Sequence, residues 1–166
     1  MWSSERRRLI AALAALPTLA ACGFAPTLAS GGAAAELRGR IRADDPDNPD
    51  GFAFVERLEE RFGRPDAPRY ALSFDIDVTT DDIATVRGEG ATRGTATGRV
   101  RYAVRHLEDD DTVHEGRAES FTGWSKTEDA LAERIAREDA RGRLMRILAD
   151  RIATDLTATA GDWAAP

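Results

Sequence analysis

The sequence predicts an α/β (α+β) two-layer sandwich: a four-stranded, mostly antiparallel sheet with two helices on one face, in the order β-α-β-β-β-α. Three observations carry this expectation. Tyr70, Leu72, Phe74, Ile76 and Val78 alternate with Ala71, Ser73, Asp75, Asp77 and Thr79, the pattern of a strand with one buried and one wet face. Two other stretches, near residues 50–63 and 127–158, place apolar residues at helical spacing on a single stripe. Strands and helices that are each apolar on one side bury those sides together by stacking in two layers.

At the N-terminus Arg6, Arg7 and Arg8 form a positive segment, followed by an Ala/Leu run from Leu9 to Leu19 that is broken only by Pro17 and Thr18. That run is too short to span a bilayer and has the make-up of an export signal. It ends in Leu19, Ala20, Ala21 and Cys22, a branched apolar residue and two small ones before a cysteine, as the narrow pocket of a lipoprotein signal peptidase requires. Residues 1–21 are therefore expected to be removed, and Cys22 to become the first mature residue. It is the only cysteine in the chain, and its thiol can form a thioether to diacylglycerol. That lipid and an N-acyl chain are the only attached groups expected, and they tether the protein to the bilayer. Gly23 stands where inner-membrane retention in enteric-type bacteria uses aspartate, and the resemblance to sorted lipoproteins implies the periplasmic side of the outer membrane. Arg7-Arg8 before Leu9-Ile10 lacks the rest of a twin-arginine pattern, so general secretion is the expected route.

The elements follow in order. Residues 22–35 are mostly small, without periodicity, and read as a flexible tether. The folded domain is expected over residues 36–158, with 159–166 as a tail. Leu37, Gly39 and Ile41 alternate with Arg38, Arg40 and Arg42 as a first strand. The Asp/Pro-rich stretch Asp44–Gly51 fails as a calcium loop, because a start at Asp45 puts Pro49 at the fifth position and Asp50 at the sixth. It reads as a turn into a helix carrying Phe52, Val55, Leu58 and Phe62 and stopped at Gly63.

After the strand at Tyr70, a loop containing Arg87 and Arg93 leads to a third strand. There Val100, Tyr102 and Val104 alternate with Arg99, Arg101 and Arg105. A turn at Glu108–Asp111 precedes the fourth strand, Thr112–Trp124, whose parity changes between Val113/Phe121 and Ala118/Trp124; a bulge near Gly116 would reconcile them. A turn on Asp110 would set His106 opposite His114, a pair that reads as surface imidazoles because no third ligand is near in sequence. The last helix, capped by Ser125 or Thr127, carries Leu131, Ile135, Ala140, Leu144, Leu148, Ile152 and Leu156. At 1.5 Å per residue, Thr127–Ala158 would run about 48 Å and overhang the sheet.

Without residues 1–21, which contain three arginines and Glu5, the chain keeps 20 basic against 28 acidic residues, a balance that disfavours nucleic acid. The sequence has no phosphate-cradling glycine loop, HExxH motif or nucleophile elbow, and no metal or enzyme activity is expected. Paired acids such as Asp75/Asp77 and Asp81/Asp82 read as solvated groups. The polar sides of the first and third strands, with Arg38, Arg40, Arg42, Arg99, Arg101 and Arg105, offer two readings. They form either a contact row for a phosphate-bearing partner or, the favoured reading, a surface neutralised by Asp75, Asp77 and glutamates of the fourth strand.

Taken together, the lipobox, Cys22-Gly23-Phe24-Ala25-Pro26, the β-α-β-β-β-α order and Trp124-Ser125 running into a helix with Ala130, Asp139-Ala140, Leu148-Ala149-Asp150-Arg151-Ile152 and Leu156 resemble the lipopolysaccharide (LPS)-assembly lipoprotein LptE family in its alphaproteobacterial form. Thr27-Leu28 stand where family members often carry an aromatic residue. The resemblance implies a non-enzymatic partner of an LptD-like outer-membrane β-barrel, one that assists barrel assembly, plugs the barrel and engages lipopolysaccharide on its way to the outer leaflet. It further implies lipopolysaccharide contacts by basic residues in loops near the sheet ends, where Arg87, Arg93 and Lys126 fall. The competing expectation is an auxiliary lipoprotein subunit of an envelope transporter, or another structural envelope lipoprotein.

Overall fold

The computed structural model describes residues 32–83 and 93–164. The signal segment and Cys22 lie outside them. A short helix α1 (Ala33–Glu36) leads to β1 (Ile41–Ala43), α2 (Pro49–Phe62), β2 (Tyr70–Ile83), β3 (Arg93–His106), β4 (Thr112–Ser125) and the long α3 (Ala130–Trp163). The four strands form one sheet in the order β1-β2-β3-β4. β1 runs parallel to β2, and the other pairs are antiparallel. Apart from α1, this is the predicted two-layer order. No helix among the described residues is long and apolar enough to cross a membrane.

The expected first strand is halved. Gly39 has φ +67°, a left-handed conformation outside the strand region, and its N–H donates to Phe62 O at 2.7 Å while its carbonyl accepts from Asp66 N at 3.0 Å. Leu37–Arg40 is therefore a turn, and Leu37 is buried from that turn. The tether also ends earlier than expected, because α1 forms within it and Ala34 is buried against the core.

α2 starts where Asn48 Oδ1 accepts from Gly51 N at 2.9 Å, with Pro49 in the first turn, and ends at Gly63, φ +81°. Its buried stripe is Gly51, Phe54, Leu58 and Phe62. Phe54 sits on Phe74 with ring centroids 5.0 Å apart, whereas Phe52 is 61% exposed and corrects the expected stripe.

β2, β3 and β4 are each 14 residues long, so β2 and β3 reach further than expected, and Asp81, Asp82 and Arg93 belong to strands. The parity change in β4 is settled by a bulge at Val113. Val104 pairs with His114 but Arg105 with Thr112, so the bulge is not at Gly116. Gly116 makes room instead: a Cβ there would stand 2.5 Å from the Tyr102 hydroxyl.

α3 is capped by Asp129, whose side chain accepts from Leu131 N and Ala132 N, rather than by Ser125 or Thr127. Ala140, Leu144, Met145, Leu148, Ile152 and Leu156 are buried along it. Leu131 and Ile135 are 57% and 56% exposed, because Ala140 already lies beside Thr122 near the end of β4. Residues 130–135 therefore overhang the core by about 9 Å, and Ala136 already packs against it. At the other end the helix continues through the expected tail to Trp163. Arg57 grips Asp150 with both Nε and an Nη at 3.0 Å, and Arg141 pairs with Asp50, so two ion pairs tie α2 to α3 on the same sheet face.

Candidate functional site

The sheet face away from the helices is charged but largely balanced. The register places Arg101 between Asp75 and Arg117, and Arg99 between Asp77 and Glu119. Arg101 binds Asp75 at 2.7 Å and Arg99 binds Glu119 at 3.2 Å, while Arg105 closes on Asp110 of the adjoining turn. The hydrogen bond to Asp75 raises the Arg101 pKa further, keeping it charged. The six arginines do not form one row. Arg38 lies in the turn after α1, Arg40 pairs with Glu36 at 3.2 Å, and only Arg42 projects from β1. The neutralised surface is the reading this geometry favours, since an arginine held by a carboxylate has fewer donors left for a phosphate.

The end of the sheet formed by Ile83, Arg93 and Ser125 gathers a different set of groups. Arg93 pairs in register with Ser125, which brings it next to the loop that starts at Lys126. Arg93 is exposed, and Lys126 Nζ lies 2.7 Å from Asp82 and 3.8 Å from Glu133. The bond to Asp82 raises the Lys126 pKa. Arg87 lies outside the described residues. Arg93, Gly94, Thr95, Phe121, Gly123, Trp124 and Ser125 line a hollow of about 530 Å³.

Two aromatic residues there enter the sequence reading only through strand parity and, for Trp124, the family resemblance, and not as site residues. Phe121 is 73% exposed, and the bulge at Val113 breaks the parity that these two residues share in sequence. Trp124 lies flat over Gly94, where a Cβ would come within 2.1 Å of its ring, and its Nε1 is buried without an acceptor among the described residues. Glycines at 94 and 98 in a strand whose intervening inward residue is Ala96 were the available sequence signal for close approach. With Leu131 and Ile135 on the overhang, this end joins cationic side chains to exposed apolar ones.

The opposite end holds a network that sequence reasoning also missed. The Tyr102 hydroxyl donates to Asp155 Oδ2, and His114 Nε2 lies 3.0 Å from the same oxygen. Trp163 stacks on His114 at 5.7 Å and meets Tyr70 edge-on at 5.3 Å, and Tyr70 in turn meets His106 at 5.5 Å. Burial and then the bond to Asp155 push the Tyr102 hydroxyl above its usual pKa, and the same bond, followed by His114, lowers that of Asp155. His106 is aligned with Tyr70 and His114 with Val104, so the histidines do not form the expected cross-strand pair. The network fastens the end of α3 to β3 and β4.

Comparison with solved structures finds this fold in bacterial lipoproteins. A protein of Caulobacter crescentus assigned to the lipoproteins superposes with a TM-score of 0.64 at 18% identity, covering 76% of this chain and 93% of that one. The rare lipoprotein B of Shewanella oneidensis gives 0.54 at 16% identity over 72% and 93%. A minor lipoprotein of Acinetobacter baumannii gives 0.55 at 8% identity over 72% and 90%. At these identities the likeness concerns the fold. No protein-family profile and no curated sequence matches the chain.

Proposed function

We propose that this chain is an outer-membrane lipoprotein of the LptE type, anchored through acyl chains on Cys22, that assists and plugs an LptD-like β-barrel and takes part in delivering lipopolysaccharide to the outer leaflet. The observation that carries the reading is a lipobox ending at Cys22 on a chain whose domain has the fold seen in bacterial lipoproteins. The physical chemistry is compatible. A wet, charge-balanced sheet face suits a hydrated barrel lumen. The end carrying Arg93, Lys126, Phe121 and Leu131 suits an amphiphile with anionic head groups. The protein acts by binding and has no catalytic residues in this reading.

The test is lipopolysaccharide binding by the mature protein and by a variant with Arg87, Arg93 and Lys126 each changed to Glu. We expect at least a tenfold loss of affinity. Lys126 contributes a smaller share than Arg93, since Asp82 and Glu133 already hold it. Unchanged binding would remove these residues from the ligand surface.

A further inference from the structure

The sheet has two long edges, and they are treated differently. The β4 edge is guarded by α3: the Arg151 guanidinium donates to Glu119 O, and Arg143 Nη2 donates to Gly123 O at 3.3 Å. The β2 edge is covered by β1 only from Tyr70 to Leu72. Tyr70 N donates to Arg40 O at 3.0 Å and Leu72 O accepts from Asp44 N at 2.9 Å, so the even-numbered residues of β2 turn their main-chain groups toward this edge. The same alternation places the N–H and C=O groups of Phe74, Ile76, Val78 and Thr80 along the edge beyond Leu72. Among the described residues nothing hydrogen-bonds to them there. Edge strands of this length are ordinarily blunted by a bulge, a proline or charged side chains; residues 73–80 contain no proline and pair with β3 without a bulge, and their only charges, Asp75 and Asp77, are both acidic and so admit a basic partner.

The surroundings of the edge define what would fit it. On the helix side, Ile76 and Val78 floor a cleft of about 640 Å³ walled by Pro49, Ala53, Glu138 and Gly142. On the outer side Asp75, Asp77 and Asp81 are exposed, and Asp77 and Asp81 make no ion pair among the described residues. We infer that the β2 edge from Phe74 to Thr80 is a strand-addition site for an extended segment of a partner protein in which apolar residues alternate with basic ones. The apolar side chains enter the cleft over Ile76 and Val78, and the basic ones lie beside the aspartates, at the separation where cross-strand opposite charges attract. A second copy of this chain is a poor occupant, because antiparallel pairing of two β2 edges sets acidic residues of one against those of the other. The inference does not depend on the lipopolysaccharide reading.

The probe is a labelled, end-blocked peptide of alternating valine and lysine, titrated into the mature protein and followed by fluorescence anisotropy. A peptide of the same composition with its valines and lysines in separate blocks is the control. We expect saturable binding of the alternating peptide and at least tenfold weaker binding of the control. Val78→Pro deletes an outward N–H while sparing the β2–β3 ladder, and should weaken binding at least tenfold. The double variant Asp77→Lys/Asp81→Lys alters exposed side chains only, and should do the same even where the proline variant folds poorly. No saturation up to millimolar peptide would overturn the assignment, as would equal binding of both peptides or binding indifferent to the substitutions. A dimer in sedimentation that Val78→Pro abolishes would give the edge to a second copy and overturn it too.

Discussion

Trp124 is buried only because residue 94 has no side chain. A Cβ on Gly94 would lie 2.1, 2.3 and 2.7 Å from three atoms of the indole, closer than carbon atoms approach, and the rigid ring has no free end to bend away. Gly94→Ala must therefore lift the ring off β3. An indole carries roughly 150–250 Å² of buried surface. At about 25 cal/mol per Å², full exposure would cost about 4–6 kcal/mol. Partial tilting brings the expected destabilisation to about 2–4 kcal/mol, or roughly 6–15 °C in Tm for a domain of this size. In a Trp124→Ala background the clash is gone, and the same Gly94→Ala change should be neutral or stabilising by up to about 1 kcal/mol through the unfolded chain. The assay is urea unfolding of the four proteins of this cycle, made without residues 1–21, with tryptophan emission as a second readout, since Trp124 and Trp163 are the only tryptophans after Trp2. Equal effects of Gly94→Ala in both backgrounds would refute the reasoning.

Two further predictions concern the far end of α3. Ending the chain after Ala158 removes Trp163, which covers His114 and Tyr70, and should cost about 2–4 kcal/mol, whereas ending it after Ala164 should cost almost nothing; equal thermal stability of the two truncations would restore the reading of residues 159–166 as a tail. The Tyr102–Asp155 bond lowers the folded pKa of Asp155 and raises that of Tyr102. Its contribution should therefore be present from above the ordinary aspartate value up to the ordinary tyrosine value. It should be lost as pH falls through the lowered Asp155 value, or rises through the raised Tyr102 value. Urea midpoints for wild type and Asp155→Asn across acid pH check this, and parallel acid limbs would contradict it.

How far the sequence discloses the molecule follows from which forces act locally. The strict alternation of Tyr70–Val78 located β2 and its buried face, because a period of two leaves no second assignment. In α2 Phe52 and Phe54 both fit a helical stripe, and only the position of Phe74 across the interface decides for Phe54. Leu37–Arg42 alternates as a strand should, yet Gly39 takes a left-handed turn whose bonds run to Phe62 and Asp66, distant in sequence. The β4 bulge was legible as a parity conflict, but not its position, which is set at the turn beside His106 rather than at the glycine. Charge pairing on the outer sheet face was foreseen in kind from Asp75 and the glutamates of the fourth strand, whereas Asp77 makes no ion pair among the described residues. The joining of Arg93 to Lys126 needed the β3–β4 register, and so did the partnership of Tyr102, His114 and Asp155, whose members lie on three elements.

In the proposed function, a lipid anchor at Cys22 holds this domain against a membrane-embedded barrel. The most direct test is mild-detergent purification of the full chain with a C-terminal tag from its native membranes, followed by electrophoresis with and without heating. We expect one large co-purifying protein whose mobility changes on heating, as a folded β-barrel's does, recovered in the outer-membrane fraction. Recovery with an inner-membrane ATPase complex, and no heat-modifiable partner, would contradict it.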